Sequence, residues 1–92
     1  MEEKIRRHII FEGRVQGVGF RYRALYAAKQ FGVTGWVRNL YDGTVEMEVQ
    51  GREAEIDQMI LSLEQGSYIR IDNLRVQRKE MEEEERAFRI LD

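Results

Sequence analysis

The spacing of apolar residues changes along this chain, and each change marks a boundary between a strand and a helix. A short apolar run over residues 5–12 predicts a first strand. Helical spacing follows over residues 21–31, and Gly32 predicts the end of that helix. The apolar face of this helix consists of Phe20, Ala24, Ala27, Ala28 and Phe31. Tyr22 and Tyr26 lie off that face, and we interpret them as partly exposed packing residues rather than a stacking platform.

Residues 33–50 alternate as a β-hairpin would, with Asp42-Gly43 as the turn. On the return strand the apolar side chains share one face, at Val45, Met47 and Val49. Asn39 breaks the pattern, because its amide takes a position that the alternation assigns to the apolar face. A buried amide needs hydrogen-bond partners. Asn39 is therefore either a turn residue at the end of a strand or an amide placed for function.

The rest of the chain predicts a second helix and two further strands. Residues 53–65 repeat apolar side chains at helical spacing, and residues 74–81 predict a strand. Between them, residues 67–73 fit either a strand or a buried connection. The acidic run at residues 82–85 is typical of a solvated turn, and residues 87–91 predict a short last strand.

This order of elements is strand, helix, strand, strand, helix, strand, with one short strand added at the end. It is the order of the ferredoxin-like split βαβ fold. We therefore predict an α+β (βαββαβ) sandwich, in which an antiparallel sheet carries two helices on one face and a short extra C-terminal strand. A length of 92 residues suits one domain, so we expect residues 1–92 to form a single domain.

Composition and charge exclude several kinds of site and partner. The chain has no cysteine and one histidine, His8, which excludes disulfides, thiolate metal sites and zinc sites built from histidines. We interpret His8 as a partly solvated strand residue and expect no metal and no cofactor. A net charge of −2 argues against nucleic acid as a partner, and no apolar run suits a signal peptide or a membrane span. We expect a cytoplasmic monomer.

The loop between the first strand and the first helix carries the clearest chemical signal. Gly13, Gly17 and Gly19 lie close together, and Arg21 follows where the helix begins. The amides of a glycine loop, the N-terminus of a helix and a guanidinium group all favour an anion such as phosphate. An arginine is mildly unfavourable at the positive end of a helix dipole, so a bound anion would account for Arg21. The alternative is a loop that serves only as a flexible connection.

We expect Asn39 to lie beside this loop. In the split βαβ arrangement we expect the first strand and the first hairpin strand to be neighbours, which brings the ends of both strands together. The loop, Arg21 and one carboxamide would then converge. Because an amide both donates and accepts hydrogen bonds, Asn39 would hold a water against a bound anion.

At these residues the sequence resembles the acylphosphatase family. The segment Gly13-Arg14-Val15-Gln16-Gly17-Val18-Gly19-Phe20-Arg21 is similar to one family signature. A second signature is similar to residues 35–39 and continues through residues 42–46 to Gly51. The closing Phe88-Arg89-Ile90 is similar to the family's last strand. The family often has proline after the asparagine and after the second helix, where this chain has Tyr41 and Ser67.

The resemblance implies the ferredoxin-like fold and a small, metal-independent enzyme that hydrolyses acyl phosphates to a carboxylate and inorganic phosphate. It implies that Arg21 binds the phosphoryl group and that Asn39 positions the attacking water. Gly13 and Thr44 would support the site. A phosphate cradle would form from the backbone amides of Gln16, Gly17, Val18, Gly19 and Phe20. The implied partner is a small acyl phosphate, and phosphate or sulfate would occupy the same site.

Two other classes of function remain open. The segment from Gly17 to Tyr22 faintly resembles the aromatic segment of an RNA-recognition motif, and salt-dependent RNA binding without hydrolysis would favour that class. A regulatory domain that binds a small anion would bind phosphate tightly without turnover. The position of those aromatic residues in the first loop and the net charge of −2 disfavour RNA binding, and the presence of both Arg21 and Asn39 disfavours the regulator.

Overall fold

The computed structural model describes residues 3–91 and has the predicted order of elements. The helices are α1 (Phe20–Phe31) and α2 (Glu53–Glu64). The strands are β1 (Lys4–Arg14), β2 (Thr34–Asn39), β3 (Val45–Arg52), β4 (Arg70–Lys79) and β5 (Phe88–Ile90). This βαββαβ order with a short fifth strand confirms the predicted α+β fold. Within the described range, neither helix is long and apolar enough to cross a membrane.

The five strands form one sheet in the order β4-β1-β3-β2-β5. β5 pairs parallel with β2, so the sheet is mixed rather than antiparallel throughout. The expectation that β1 and β2 are neighbours is wrong, because β3 lies between them and pairs antiparallel with both. The crossover through α1 leaves a gap of one strand, which β3 fills. β1 and β2 therefore run parallel, and their C-terminal ends still reach the same edge of the sheet.

Both helices cover one face of the sheet and form the core with it. Alternate residues of β1 and β3 are buried there, including Ile9, Phe11 and Met47, none of which has measurable exposure. α1 contributes the residues predicted from its spacing, namely Phe20, Ala24, Ala27 and Ala28, while Phe31 is only half-buried. The small alanine side chains let α1 lie close to the sheet. This packing fixes the position at which the preceding loop enters the helix.

β4 begins at Arg70, so residues 70–73 of the ambiguous stretch 67–73 belong to a strand. Its register against β1 shifts, because Glu12 pairs with Asn73 whereas Gly13 pairs with Ile71. Asp72 is therefore an extra residue, as in a β-bulge. The bulge breaks the alternation of apolar residues along β4, which is why a period of two does not reveal the whole strand. Beyond the bulge, Gly13 and Arg14 of β1 still pair with Ile71 and Arg70 of β4.

Arg6 is buried on the face of the sheet that the helices do not cover. Its Nε donates to Glu48 and its Nη1 donates to Gln50 and Glu85, each at 2.8 Å. Glu85 belongs to the connection between β4 and β5, which crosses this face. The prediction of a solvated acidic turn is wrong for Glu85, because the buried guanidinium of Arg6 requires a counter-charge. His8 is half-buried on the same face, as predicted.

Candidate functional site

The loop from β1 to α1 is anchored in the core at both ends. Val15 and Phe20 are 1% and 2% exposed, and the Phe20 ring packs edge-to-face against Phe11 with 4.9 Å between the ring centres. Between these anchors, Gly17 and Gly19 have φ angles of 71° and 79°, in the left-handed region that favours glycine. The loop therefore has a defined shape between two buried ends, which favours a built site over a simple connection.

The N-terminus of α1 faces out of this loop without a side-chain cap from the described residues. Gly19 takes the N-cap position, and the first turn contains no acidic residue. The first amides of a helix have no partner within the helix, and they carry the positive end of its dipole. This end of α1 thus offers N–H donors and partial positive charge to an anion.

Arg21 and Asn39 line one small cavity together with the loop. Its volume is about 170 Å³, and the lining residues are Val15, Gly17, Gly19, Phe20, Arg21, Tyr22 and Asn39. The two residues meet because β1 and β2 end at the same edge of the sheet. Arg21 forms no ion pair with any carboxylate of residues 3–91. Its charge is therefore available to a bound anion.

Asn39 is the last residue of β2, and its side chain lies on the helix-covered side of the sheet opposite Val45. Its Oδ1 atom is buried and accepts no hydrogen bond from the residues that the structure describes. A buried polar atom without a partner costs about 1–3 kcal/mol. Such an atom calls for an explanation, and a water or substrate group in the adjoining cavity supplies one. Of the two interpretations left open by the sequence, this favours the amide placed for function.

The side chain of Gln16 turns away from the cavity and joins two loops. Its Nε2 donates to the carbonyl oxygens of Leu40 and Thr44, at 2.6 and 2.8 Å. These carbonyls belong to the turn that follows Asn39. Gln16 thus connects the loop between β1 and α1 to the segment that carries the carboxamide, a contact that no sequence pattern indicated.

The turn over residues 40–44 is closed by its own hydrogen bonds. Leu40 N–H donates to the Thr44 carbonyl at 2.9 Å, and Gly43 N–H donates to the Leu40 carbonyl at 3.2 Å. Asp42 Oδ1 accepts from the Thr44 hydroxyl at 2.7 Å and from its N–H at 3.0 Å. The hydroxyl bond and then the N–H bond hold the pKa of Asp42 below its ordinary value. This confirms the turn role of Asp42.

The other predicted site residues do not line the cavity. Gly13 lies at the bulge, where a Cβ atom would stand 2.2 Å from the carbonyl oxygen of Arg70, so it permits close approach of two strands. Val18 packs against the core. Thr44, which was expected to support the site, donates its hydroxyl group to Asp42 within the turn.

Val15 and Tyr22 line the cavity but were not among the predicted site residues. Val15 lies inside the signature segment, so its position was a usable signal. Tyr22 follows Arg21 in the first helical turn, which places it at the same rim. As for metals, no group of three or more His, Cys, Asp or Glu side chains in residues 3–91 is arranged to hold an ion.

Comparisons with known proteins match a part of the chain that contains the loop and Asn39. A sequence model of the acylphosphatase family matches residues 7–90, which include the loop and Asn39. A relative from Chlorobaculum tepidum named acylphosphatase is 45% identical over 92 residues, covering 99% of each chain. One of the same name from Geobacillus thermodenitrificans is 41% identical over 85 residues, covering 91% of this chain and 90% of its own. The crystal structure of acylphosphatase from Bacillus subtilis aligns with a TM-score of 0.87 at 31% identity, covering 96% of this chain and 99% of its own.

Proposed function

The chain belongs to the acylphosphatase family, and we propose that it hydrolyses the carboxyl–phosphate bond of acyl phosphates to a carboxylate and inorganic phosphate. One observation carries the proposal. Within residues 3–91, the N-terminus of α1 has no side-chain cap, Arg21 has no ion-pair partner, and the buried amide oxygen of Asn39 accepts no hydrogen bond; all three lie at one cavity. Water attack on a phosphoryl group needs a site that binds the anion and a neighbouring group that holds the water. The cavity combines candidates for both.

The phosphoryl group binds where the loop amides and Arg21 face the cavity. Gly17, Gly19 and Phe20 line it, and we assign the phosphate cradle to the backbone amides from Gln16 to Phe20. A guanidinium group matches the geometry of phosphate oxygens and stays charged throughout the relevant pH range. In the transition state, charge spreads over the equatorial phosphoryl oxygens, so donors fixed around them lower the barrier.

Asn39 holds the attacking water. Its Oδ1 accepts one hydrogen bond from the water, while its amide group remains free to donate to a phosphoryl oxygen. The water oxygen attacks phosphorus, the bond from phosphorus to the carboxylate oxygen breaks, and the electron pair of that bond leaves with the carboxylate. Since the carboxylate is a good leaving group, positioning and charge stabilisation supply most of the catalysis.

The proton of the water passes to a phosphoryl oxygen of the substrate. Asp42, the carboxylate nearest to Asn39 in sequence, already accepts two hydrogen bonds from Thr44 within its own turn. We assign it no role as a base. We further propose that the enzyme uses no metal, because the chemistry described needs only amides, one guanidinium group and one carboxamide. We also propose that it is a cytoplasmic monomer.

The RNA-binding alternative loses its structural support. Phe20 and Tyr22, the aromatic residues of the segment that resembles an RNA-recognition motif, lie on α1 rather than on an exposed strand. Phe20 is also buried in the core, so its ring is not available for base stacking. Only a measurement of turnover distinguishes the enzyme from a regulatory domain that binds an anion.

The test is hydrolysis of acetyl phosphate in the presence of EDTA. Wild-type protein should turn over the substrate, and Arg21→Gln should lose about 10²–10³-fold in kcat/KM, the typical effect of removing a donor from developing charge. Arg78→Gln is the matched control, since it makes the same change of charge on an exposed part of β4. An Arg21→Gln variant with most of its activity would contradict the assigned site, and tight phosphate binding without turnover would identify a regulator.

A further inference from the structure

Tyr22 lines the cavity that contains Arg21 and Asn39, and the proposed reaction gives it no role. Of the residues that line this cavity, Arg21, Tyr22 and Asn39 carry polar side chains. The first is assigned to the phosphoryl group and the last to the attacking water. The Tyr22 side chain is 61% exposed, so packing against the core accounts for little of it. Its hydroxyl group makes no hydrogen bond within residues 3–91 and is free to bind a ligand.

Given the proposed function, we propose that Tyr22 is a third catalytic residue, whose hydroxyl group donates a hydrogen bond to the carboxylate oxygen that leaves phosphorus. The attacking and leaving oxygens lie roughly in line, on opposite sides of phosphorus. Asn39, at the end of β2, is assigned to the attacking water, so the leaving oxygen must point away from it. Tyr22 contacts the cavity from a different element, the first turn of α1.

Tyr22 also lies where the cavity opens. The cavity holds about 170 Å³, less than the roughly 300–1,000 Å³ of pockets that enclose an organic ligand, so part of an acyl phosphate must extend out of it. Gly19 and Tyr22 line both the cavity and an open groove between α1 and α2. Of the three polar side chains, Tyr22 is thus the one at this opening. Arg23 lines the groove but not the cavity, and its Nε donates to the Ser62 carbonyl at 2.9 Å.

The contribution of the hydroxyl group follows from the charge that develops on the leaving oxygen. As the bond from phosphorus breaks, its electron pair moves onto that oxygen, which becomes part of a free carboxylate. A donor fixed at this oxygen binds more strongly as the charge grows, so it lowers the barrier more than it strengthens substrate binding. A phenol is a much weaker acid than a carboxylic acid, so the proton stays on Tyr22 throughout the step.

Tyr22→Phe tests the proposal, because it removes the hydroxyl group and keeps the ring. We expect kcat for acetyl phosphate to fall about 10-fold, the scale of one hydrogen bond to a charged group. KM and the Kd for inorganic phosphate should change little, since inorganic phosphate has no leaving carboxylate. Tyr26→Phe is the matched control, one helical turn along α1 at a side chain that does not line the cavity, and it should keep the wild-type kcat.

A second measurement tests whether the hydroxyl group acts on the leaving oxygen. The substrates are 4-methoxybenzoyl phosphate and 4-nitrobenzoyl phosphate, whose carboxylates differ in basicity because of a substituent far from phosphorus. The more basic methoxy carboxylate is the poorer leaving group and depends more on a donor. The loss of kcat/KM in Tyr22→Phe should therefore be about 2-fold larger for the methoxy substrate. An equal loss with both substrates would overturn the assignment to the leaving oxygen.

Failure of this inference is distinct from failure of the proposed function. If wild-type protein hydrolyses none of the three substrates, the proposed function is wrong, and the role of Tyr22 falls with it. If wild-type protein hydrolyses them and Tyr22→Phe keeps the wild-type kcat, the site stands and the role of Tyr22 is overturned. A rise in the Kd for phosphate that matches the fall in kcat would also overturn it, because the hydroxyl group would then bind the phosphoryl group.

Discussion

Gln16 connects the two halves of the site, and replacing it tests whether that connection matters for catalysis. Gln16→Met keeps a side chain of similar length but removes the N–H groups that bond Leu40 and Thr44. The backbone amide at position 16 is untouched. The variant therefore leaves the loop between β1 and α1 in place and releases the turn that follows Asn39.

The size of the effect follows from the hydrogen bonds involved. Two uncharged bonds are lost, at about 1 kcal/mol each, so the free energy of unfolding should fall by about 2 kcal/mol. No further penalty is expected, because the Leu40 and Thr44 carbonyls each keep a backbone partner. A shift of about 1 Å in a positioning group can cost about 100-fold in rate, so we expect kcat to fall by 10- to 100-fold.

Two measurements separate positioning from binding. Steady-state hydrolysis of acetyl phosphate gives kcat, and calorimetric titration with inorganic phosphate reports on the anion-binding loop. We expect kcat to fall while the Kd for phosphate changes little. Gln58→Met makes the same chemical change at an exposed position on α2 and should alter neither quantity. If Gln16→Met is folded and keeps the wild-type kcat, the link between the loops has no role in catalysis.

Two further predictions concern Arg6 and Glu46, which lie on the face of the sheet away from the helices. Arg6→Met should lower the free energy of unfolding in urea by about 3 kcal/mol, because Glu48 and Glu85 would keep part-buried charge without a partner. Arg7→Met should cost less than about 1 kcal/mol, since Arg7 pairs with the exposed Glu53 and Asp57; equal losses would contradict this. Burial opposes ionisation of Glu46, but hydrogen bonds from His8 and Arg38 outweigh it and hold the pKa of Glu46 below its ordinary value. A lowered folded-state pKa stabilises the protein above the unfolded-state value, so the stability advantage of wild type over Glu46→Gln should be full at pH 7 and shrink as pH falls below about 4; an advantage that grows in acid would contradict it.

Local patterns were sufficient to predict the elements that have one regular period. The spacing of α1 identified its buried residues, and the alternation of β3 identified the helix-facing strand positions. Residues 70–73 could not be assigned to β4, because Asp72 adds an extra residue and shifts the phase of the alternation. A bulge depends on the pairing partner, and the partner is not visible in a local window.

The candidate site could be proposed from the sequence because its residue types suit anion binding and the positioning of a water. Three glycines before Arg21 indicated an anion loop, and the misplaced amide of Asn39 indicated function. The prediction that β1 and β2 are neighbours, which was the reason for placing Asn39 beside the loop, was wrong, since β3 separates the two strands. The bridge through Gln16 could not be predicted, because a glutamine in a loop has many possible partners and only the folded chain brings Leu40 and Thr44 within its reach.

Replacing Asn39 tests most directly whether its amide positions the attacking water. Asn39→Ala should reduce kcat for acetyl phosphate by at least about 100-fold, the scale of losing a group that positions or stabilises the transition state. Inorganic phosphate should still bind with nearly the wild-type Kd, since the loop and Arg21 remain. The variant should lose no stability in urea, because the substitution removes an amide oxygen that has no partner among the described residues.

Asn73→Ala is the matched control, since Asn73 is an exposed asparagine on β4 and bonds only to Glu12 among the described residues. It should keep the wild-type kcat. We expect a folded Asn39→Ala protein that binds phosphate and does not turn over acetyl phosphate. A folded Asn39→Ala protein that hydrolyses acetyl phosphate at close to the wild-type rate would show that Asn39 does not position the attacking water.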